Sequence, residues 1–177
     1  MNKGLKTGLL LFAFSLICGL LLAVSNKITS PIIEAAKLEK VQTNLKEFYS
    51  GSEYEFTVDN VTSKYTNVSE IYVIKKNGEV FANAYLLTAT GGYGGNIELL
   101  VVVEKEDLKL AGLKVISHSE TKGIGSKIVD EDFNVVSKPL SSLDDNFEGI
   151  TGATVSSKAV KRGLKLALKQ AQRSFGA

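Results

Sequence analysis

Cysteine and histidine are almost missing from this chain. Its 177 residues hold one of each, Cys18 and His118. Cys18 has no partner for a disulfide, and there is no Cys-based iron–sulfur site and no Cys-x-x-Cys-His haem site. With one histidine there is no plausible zinc cluster either. A lone histidine is more often structural than a base or a ligand, and His118 is assigned no chemistry. Excess charge is lacking too: the net charge of +2 is too small to argue for a nucleic-acid partner. Internal repeats, low-complexity tracts and a Walker-type phosphate loop are all absent.

Charge is also missing locally. Between Lys6 and Lys27 there is none, and the apolar run Thr7–Asn26 is long enough to cross a bilayer as one helix. A cleavable signal peptide is the alternative, because Ala23-Val24-Ser25 is small-x-small. The run is longer than a usual signal core and a helix follows soon after, which favours a retained anchor in the lipid bilayer. Ile17 stands before Cys18, where a lipoprotein cysteine needs a small residue. Lys3, Lys6 and the terminal amine flank one side and Lys27 the other. That bias puts the N-terminus in the cytoplasm and the rest outside the cell (inner) membrane. The expected division is a cytoplasmic tail over 1–6, a transmembrane helix over 7–26, a connecting helix over 27–50 and an extracytoplasmic domain over 51–177. About 150 residues follow the anchor, enough for one ordinary core.

Ser30-Pro31 reads as a helix start, with Ser capping and Pro in the first turn. Ile33, Ala36, Val41, Leu45 and Phe48 continue one helical face to a break at Gly51. Ile71–Lys76 and Glu79–Ala89 flank Asn77-Gly78, a strong hairpin signal. Ile97–Val103 and Lys109–Ser117 are two further strands. Residues 126–150, with Pro139 and the pair Asp144-Asp145, read as loop with short elements. The predicted class is α+β, an antiparallel sheet with packing helices behind a single N-terminal transmembrane helix.

The stretch with most chemical content is Glu148-Gly-Ile-Thr-Gly-Ala-Thr-Val-Ser-Ser157, a turn of small and hydroxylated residues running into a helix. Val155, Ala159, Val160, Leu164, Ala167, Leu168 and Ala171 recur at the spacing of one helical face. Lys158, Lys161, Arg162, Lys165 and Lys169 mark another face, more often simply solvated than an interface. Thr151, Thr154, Ser156 and Ser157 can each cap a first-turn N–H. Gly152 and Ala153 leave the backbone uncovered, so exposed N–H groups, the helix dipole and Lys158 can together hold an anion. A capped helix start with no ligand is the plainer alternative. Two loops precede it. Gly91-Gly92-Tyr93-Gly94-Gly95 is a glycine cluster around one tyrosine. His118-Ser-Glu120-Thr121-Lys122-Gly123-Ile124-Gly125 has glycines that let backbone approach a planar ring. Its Glu120 and Thr121 offer polar groups to a ring edge. Each loop taken alone is equally a connection between strands.

Thr151-Gly152-Ala153-Thr154 followed by Ser156-Ser157 resembles the (Ser/Thr)-Gly-Ala-Thr motif of the FMN-binding domain family. The His118 loop resembles a segment of the G subunits of Rnf electron-transport complexes and is similar to one in the C subunits of sodium-pumping NADH:quinone reductases. Lys122 stands where those relatives usually have Pro. The glycine–tyrosine loop resembles another segment of the same family, and the three occur in the family's order. The resemblance covers roughly residues 70–172 and the plan of the N-terminus. It implies FMN held as a phosphoester on Thr154 by a dedicated flavin transferase. Thr151, Gly152, Ala153, Val155, Ser156, Glu120, Thr121, Gly123, Gly125 and Tyr93 are implied around the cofactor. The family motif usually has Asp six residues before the modified Thr; Glu148 is here, keeping the carboxylate with a longer reach. The implied role is electron relay within an Rnf-type complex that couples ferredoxin and NAD redox chemistry to ion translocation, alongside other membrane subunits. A flavin is the only electron carrier the sequence supports. A non-redox extracytoplasmic assembly or ligand-binding module is the alternative. A flavin-domain sensor ranks behind both, because such relatives usually add membrane segments and cysteine clusters that the sequence up to Ala177 does not contain.

Overall fold

The computed structural model describes residues 3–59, 67–131 and 133–176. The first two residues of the expected N-terminal tail lie outside that description. The chain divides into two units, Met1–Lys40 and Val41–Ala177.

The first unit is helical, the leading part of α1 (Lys3–Phe48). Its large apolar side chains from Leu5 to Val24 are exposed, and the helix is long and apolar enough to cross a membrane. It does not restart at Ser30-Pro31 as the sequence predicts: Pro31 lies inside it. Pro31 removes one backbone bond, a loss of about 3 kcal/mol in a helix interior. Thr29 Oγ1 donates to the Ser25 carbonyl at 2.9 Å, and Ser30 Oγ, the expected cap, donates to Asn26 Oδ1 at 3.4 Å, so both hydroxyls bond back into the preceding turn.

The second unit holds five antiparallel strands in sequence order: β1 (Tyr54–Asp59), β2 (Val68–Lys76), β3 (Glu79–Ala89), β4 (Ile97–Glu104) and β5 (Leu110–Ser117). The Asn77-Gly78 turn joins β2 to β3 with φ of 52° and 86°, the left-handed backbone a two-residue hairpin needs. β1 is the one strand not expected from the sequence, although Tyr54-Glu-Phe-Thr-Val-Asp59 alternates with period two.

β4 lies inside the sheet and is buried on both faces. Ile97, Leu99, Val101 and Val103 join one core, whereas Leu100 and Val102 join the other. The first core is completed by α3 (Thr154–Phe175) through Ala159, Val160, Leu164, Ala167 and Ala171. Residues 126–150 contribute Ile128, Phe133, Val135, Leu140 and Leu143. As expected they hold only short elements, among them α2 (Leu143–Asn146). The second core receives Val41, Leu45 and Phe48 from the end of α1. A side chain at Gly112 of β5 would overlap the Phe48 ring, so that glycine makes the aromatic contact possible.

One residue leaves its predicted face. Val155 is 47% exposed, while Ser156 and Ser157 are buried in its place. The packed stripe starts only at Ala159, where α3 first lies over the sheet.

Gly163 lets α3 sit close to the sheet. A Cβ there would lie 2.7 Å from Leu99 Cδ1 and 3.0 Å from the Ala89 Cβ. Gly163→Ala gains about 1 kcal/mol of helix propensity, against overpacking that costs roughly 1–3 kcal/mol. The net expected outcome is destabilisation, seen as a lower urea midpoint for the detergent-solubilised chain.

Candidate functional site

Three segments converge at one end of the sheet. Register pairs Ala89 with Ile97 and Glu98 with Ser117, so the loop after β3 and the loop after β5 leave the sheet on the same side. The start of α3 joins them. Tyr93, Glu120, Thr121, Ile124, Gly125, Gly152, Ala153, Thr154, Val155 and Ser156 line one cavity of about 390 Å³.

Glu120 holds the three segments together. It is 7% exposed. The Gly94 N–H donates to its Oε1 at 3.0 Å, and the Ser156 hydroxyl donates to its Oε2. Each Glu120 oxygen thus accepts one hydrogen bond from within the protein. Its own N–H donates to His118 Nδ1 at 3.1 Å, so the lone histidine serves as a loop staple. Glycine is required around this carboxylate. A Cβ on Gly125 would lie 2.7 Å from Glu120 Oε2, one on Gly92 would overlap Oε1, and one on Gly94 would overlap the Ser119 carbonyl. A second clasp comes from Arg162, whose guanidinium donates to the carbonyls of Thr90 at 2.8 Å and Gly91 at 2.9 Å.

The helix start corrects the capping expectation. Its N-cap is Ala153, and among the described residues no side chain caps it. Ser156 is turned to Glu120, and Ser157 to the turn before the helix. The Ser157 hydroxyl accepts the Ile150 N–H at 3.0 Å and donates to the Ala153 carbonyl at 3.0 Å. Gly152 takes a φ of 83°, which lets the chain reverse into the helix. Thr154 is exposed, and among the described residues its hydroxyl makes no side-chain hydrogen bond. Among the described residues no side chain accepts from the first-turn N–H groups of α3.

Thr154 and Gly152 also line a second depression, of about 450 Å³, with Phe147, Thr151, Ser157, Lys158 and Lys161. Thr154 thus stands between an apolar cavity and a basic one. Nine of the eleven residues predicted around a cofactor line the first, and Thr151 lines only the second. Gly123 lines neither; it turns the loop with a φ of 75°, its N–H donating to Ser126 Oγ at 2.8 Å. Sequence reasoning missed Ile124, although it lies inside the His118 loop, and Arg162, which local pattern places only in a basic stripe. That stripe is partly committed: Lys161 and Lys165 both reach Asp144, at 2.9 and 2.8 Å. Lys165 first, then Lys161, holds the Asp144 carboxyl below the usual carboxylate range. Glu148 accepts from Asn134 Nδ2 at 2.8 Å.

Residues 92–169 match the FMN-binding domain family, and residues 1–48 match the RnfG N-terminal region. The chain is 32% identical to the G subunit of the proton-translocating ferredoxin:NAD(+) oxidoreductase complex of Clostridium ljungdahlii, over 87% of the chain and 84% of the relative. It is 26% identical to the G subunit of the Na(+)-translocating ferredoxin:NAD(+) oxidoreductase complex of Acetobacterium woodii, over 93% and 89%. It is 28% identical to the G subunit of the ion-translocating oxidoreductase complex of Haemophilus influenzae, over 88% and 84%.

The two hydroxyls of this turn differ in what they hold. Ser157→Ala leaves the Ile150 N–H without its acceptor and is expected to cost about 1–3 kcal/mol. Thr154→Ala removes an exposed, unbonded hydroxyl and is expected to change stability by no more than about 0.5 kcal/mol. Denaturant unfolding of the two flavin-free variants beside wild type measures both.

Proposed function

The chain belongs to the family of G subunits of Rnf-type ion-translocating oxidoreductase complexes, and from that membership we propose that it is a membrane-anchored electron-relay subunit carrying FMN as a phosphoester on Thr154. The observation that carries this reading is the state of Thr154: an exposed hydroxyl without a side-chain hydrogen bond, at an uncapped helix start, shared by two cavities.

The residues fit the group. The first cavity is within the size range of cofactor pockets, and Gly152 in its wall, beside which a Cβ would meet nothing, leaves backbone that a flat ring can approach. Tyr93, Ile124 and Val155 supply apolar wall for the ring. The N–H groups of the α3 first turn and the ammonium of Lys158 would hold the phosphate. Attachment would form a bond from Thr154 Oγ1 to phosphorus and break the phosphoanhydride bond of a flavin dinucleotide, with a nucleoside monophosphate leaving and the hydroxyl proton released. A flavin transferase is the expected catalyst. When bound, the flavin supplies reversible uptake and release of electrons. The protein fixes its place, limits its exposure and sets the charge around it.

The relatives' names specify ferredoxin:NAD(+) oxidoreductase complexes, one sodium-translocating and one proton-translocating. The proposed role is the relay common to both, in contact with other membrane subunits of such a complex. The proposed topology, which the charge bias about the apolar helix favours, has the N-terminus in the cytoplasm and the FMN-binding unit outside the cell (inner) membrane. The alternative of a turn that merely caps a helix loses its main support, because Thr154 caps nothing.

Coexpression with a flavin transferase, followed by a denaturing gel viewed under ultraviolet light, tests this. Wild type is expected to give a fluorescent band and Thr154→Ala a dark one. Two dark bands, from folded protein and a transferase active on a control substrate, would overturn it.

A further inference from the structure

Among the described residues Glu120 is the one buried carboxylate, it joins the three segments of the site, and relay chemistry alone does not account for it. It is fixed by two neutral donors, the Gly94 N–H and the Ser156 hydroxyl. Among the described residues no Lys, Arg or His pairs with it. Glu120 nevertheless forms part of the wall of the cavity beside Thr154. Two consequences follow from that placement.

The first is geometric. Successive helix residues are about 100° apart, so residues two apart point to nearly opposite sides. Ser156 bonded inward to Glu120 therefore turns Thr154 outward, where its hydroxyl is exposed. The second is electrostatic. A carboxylate in a partly desolvated wall opposes added negative charge nearby. A redox ring in this cavity gains electrons less readily for its presence.

Resting on the flavin reading above, we propose that Glu120 is a positioning residue that presents the Thr154 hydroxyl for flavin attachment and, through its unpaired charge, holds the potential of the attached flavin low. Glu120→Gln separates the two effects. Glutamine keeps the size, accepts from Gly94 and donates to Ser156, but carries no charge. Glu120→Ala removes both bonds, and Ser156→Ala removes only the inward anchor of the first turn.

Each variant is coexpressed as the full chain with an active flavin transferase, checked for folding by circular dichroism and assayed for fluorescent labelling. The midpoint potential of the purified flavoprotein is then measured by spectroelectrochemical titration. Glu120→Gln is expected to label like wild type and to show a more positive potential. Glu120→Ala is expected to label several-fold less, with Ser156→Ala giving the same loss should Glu120→Ala not fold. An unchanged potential in labelled Glu120→Gln, or wild-type labelling of Ser156→Ala, overturns this proposal and leaves the flavin reading intact. Wild type that takes up no flavin overturns both.

Discussion

The requirement that both faces of the sheet be covered organises this molecule. β4 has fully buried apolar side chains on both faces, so neither face can be left to water. The end of α1 from Val41 covers one face and α3 the other. Each fully buried Val or Leu contributes about 1.5–3 kcal/mol. Val160 and Leu164 on α3, with Ala159, Ala167 and Ala171 buried beside them, outweigh the few hydrogen bonds at its start, each worth about 0.5–1.5 kcal/mol. Packing therefore decides where α3 lies, and its N-terminus arrives at the loop end of the sheet as a consequence. The hydrogen bonds decide how the first turn is rotated once it is there.

That rotation is specified by a costly device. A buried carboxylate loses several kcal/mol of hydration, and two neutral donors return only part of it. A hydrophobic residue at position 120 would be the choice for stability alone. It would demand neither the close glycine packing at Gly92 and Gly125 nor an inward serine. The arrangement makes sense when the same group must both hold the loops and place charge beside the cavity. Arg162 at the other end of the glycine loop has no such second role: it satisfies the carbonyls of Thr90 and Gly91 at the surface.

Much of this was legible in the sequence. The hairpin at Asn77-Gly78, the strands after it and the long C-terminal helix all follow from local pattern, because alternation and three-to-four spacing report burial directly. The three functional segments were recognisable as motifs, and the fold gathers them. What local pattern could not give was competition between partners. Ser156 and Ser157 have the chemistry of capping residues, but Glu120 and the Ile150 N–H, distant or on the far side of a turn, claim them instead. Pro31 has the chemistry of a helix start, but helix-forming sequence on both sides carries α1 through it. Val155 fits the apolar spacing, yet it precedes the point where α3 meets the sheet. In each case a tertiary or flanking constraint overrides a sound local preference.

The openness of the site favours the proposed covalent link over a cofactor held by contact alone. A noncovalent cofactor site encloses most of its ligand, and this one does not. Tyr93 is 76% exposed, Ile124 53% and Val155 47%, so three apolar walls of the cavity face outward as much as inward. Such a site would hold a flavin weakly by contact alone, and closing it would bury the ring edge that a relay must offer to its neighbours. The proposed phosphoester to Thr154 would resolve the conflict, because retention would no longer depend on enclosure. The exposed apolar rim can then serve approach by a redox partner. On the proposed reading, what would remain for the protein is to keep the attachment point rigid, a task for the Glu120–Ser156 contact and the α3 packing behind it.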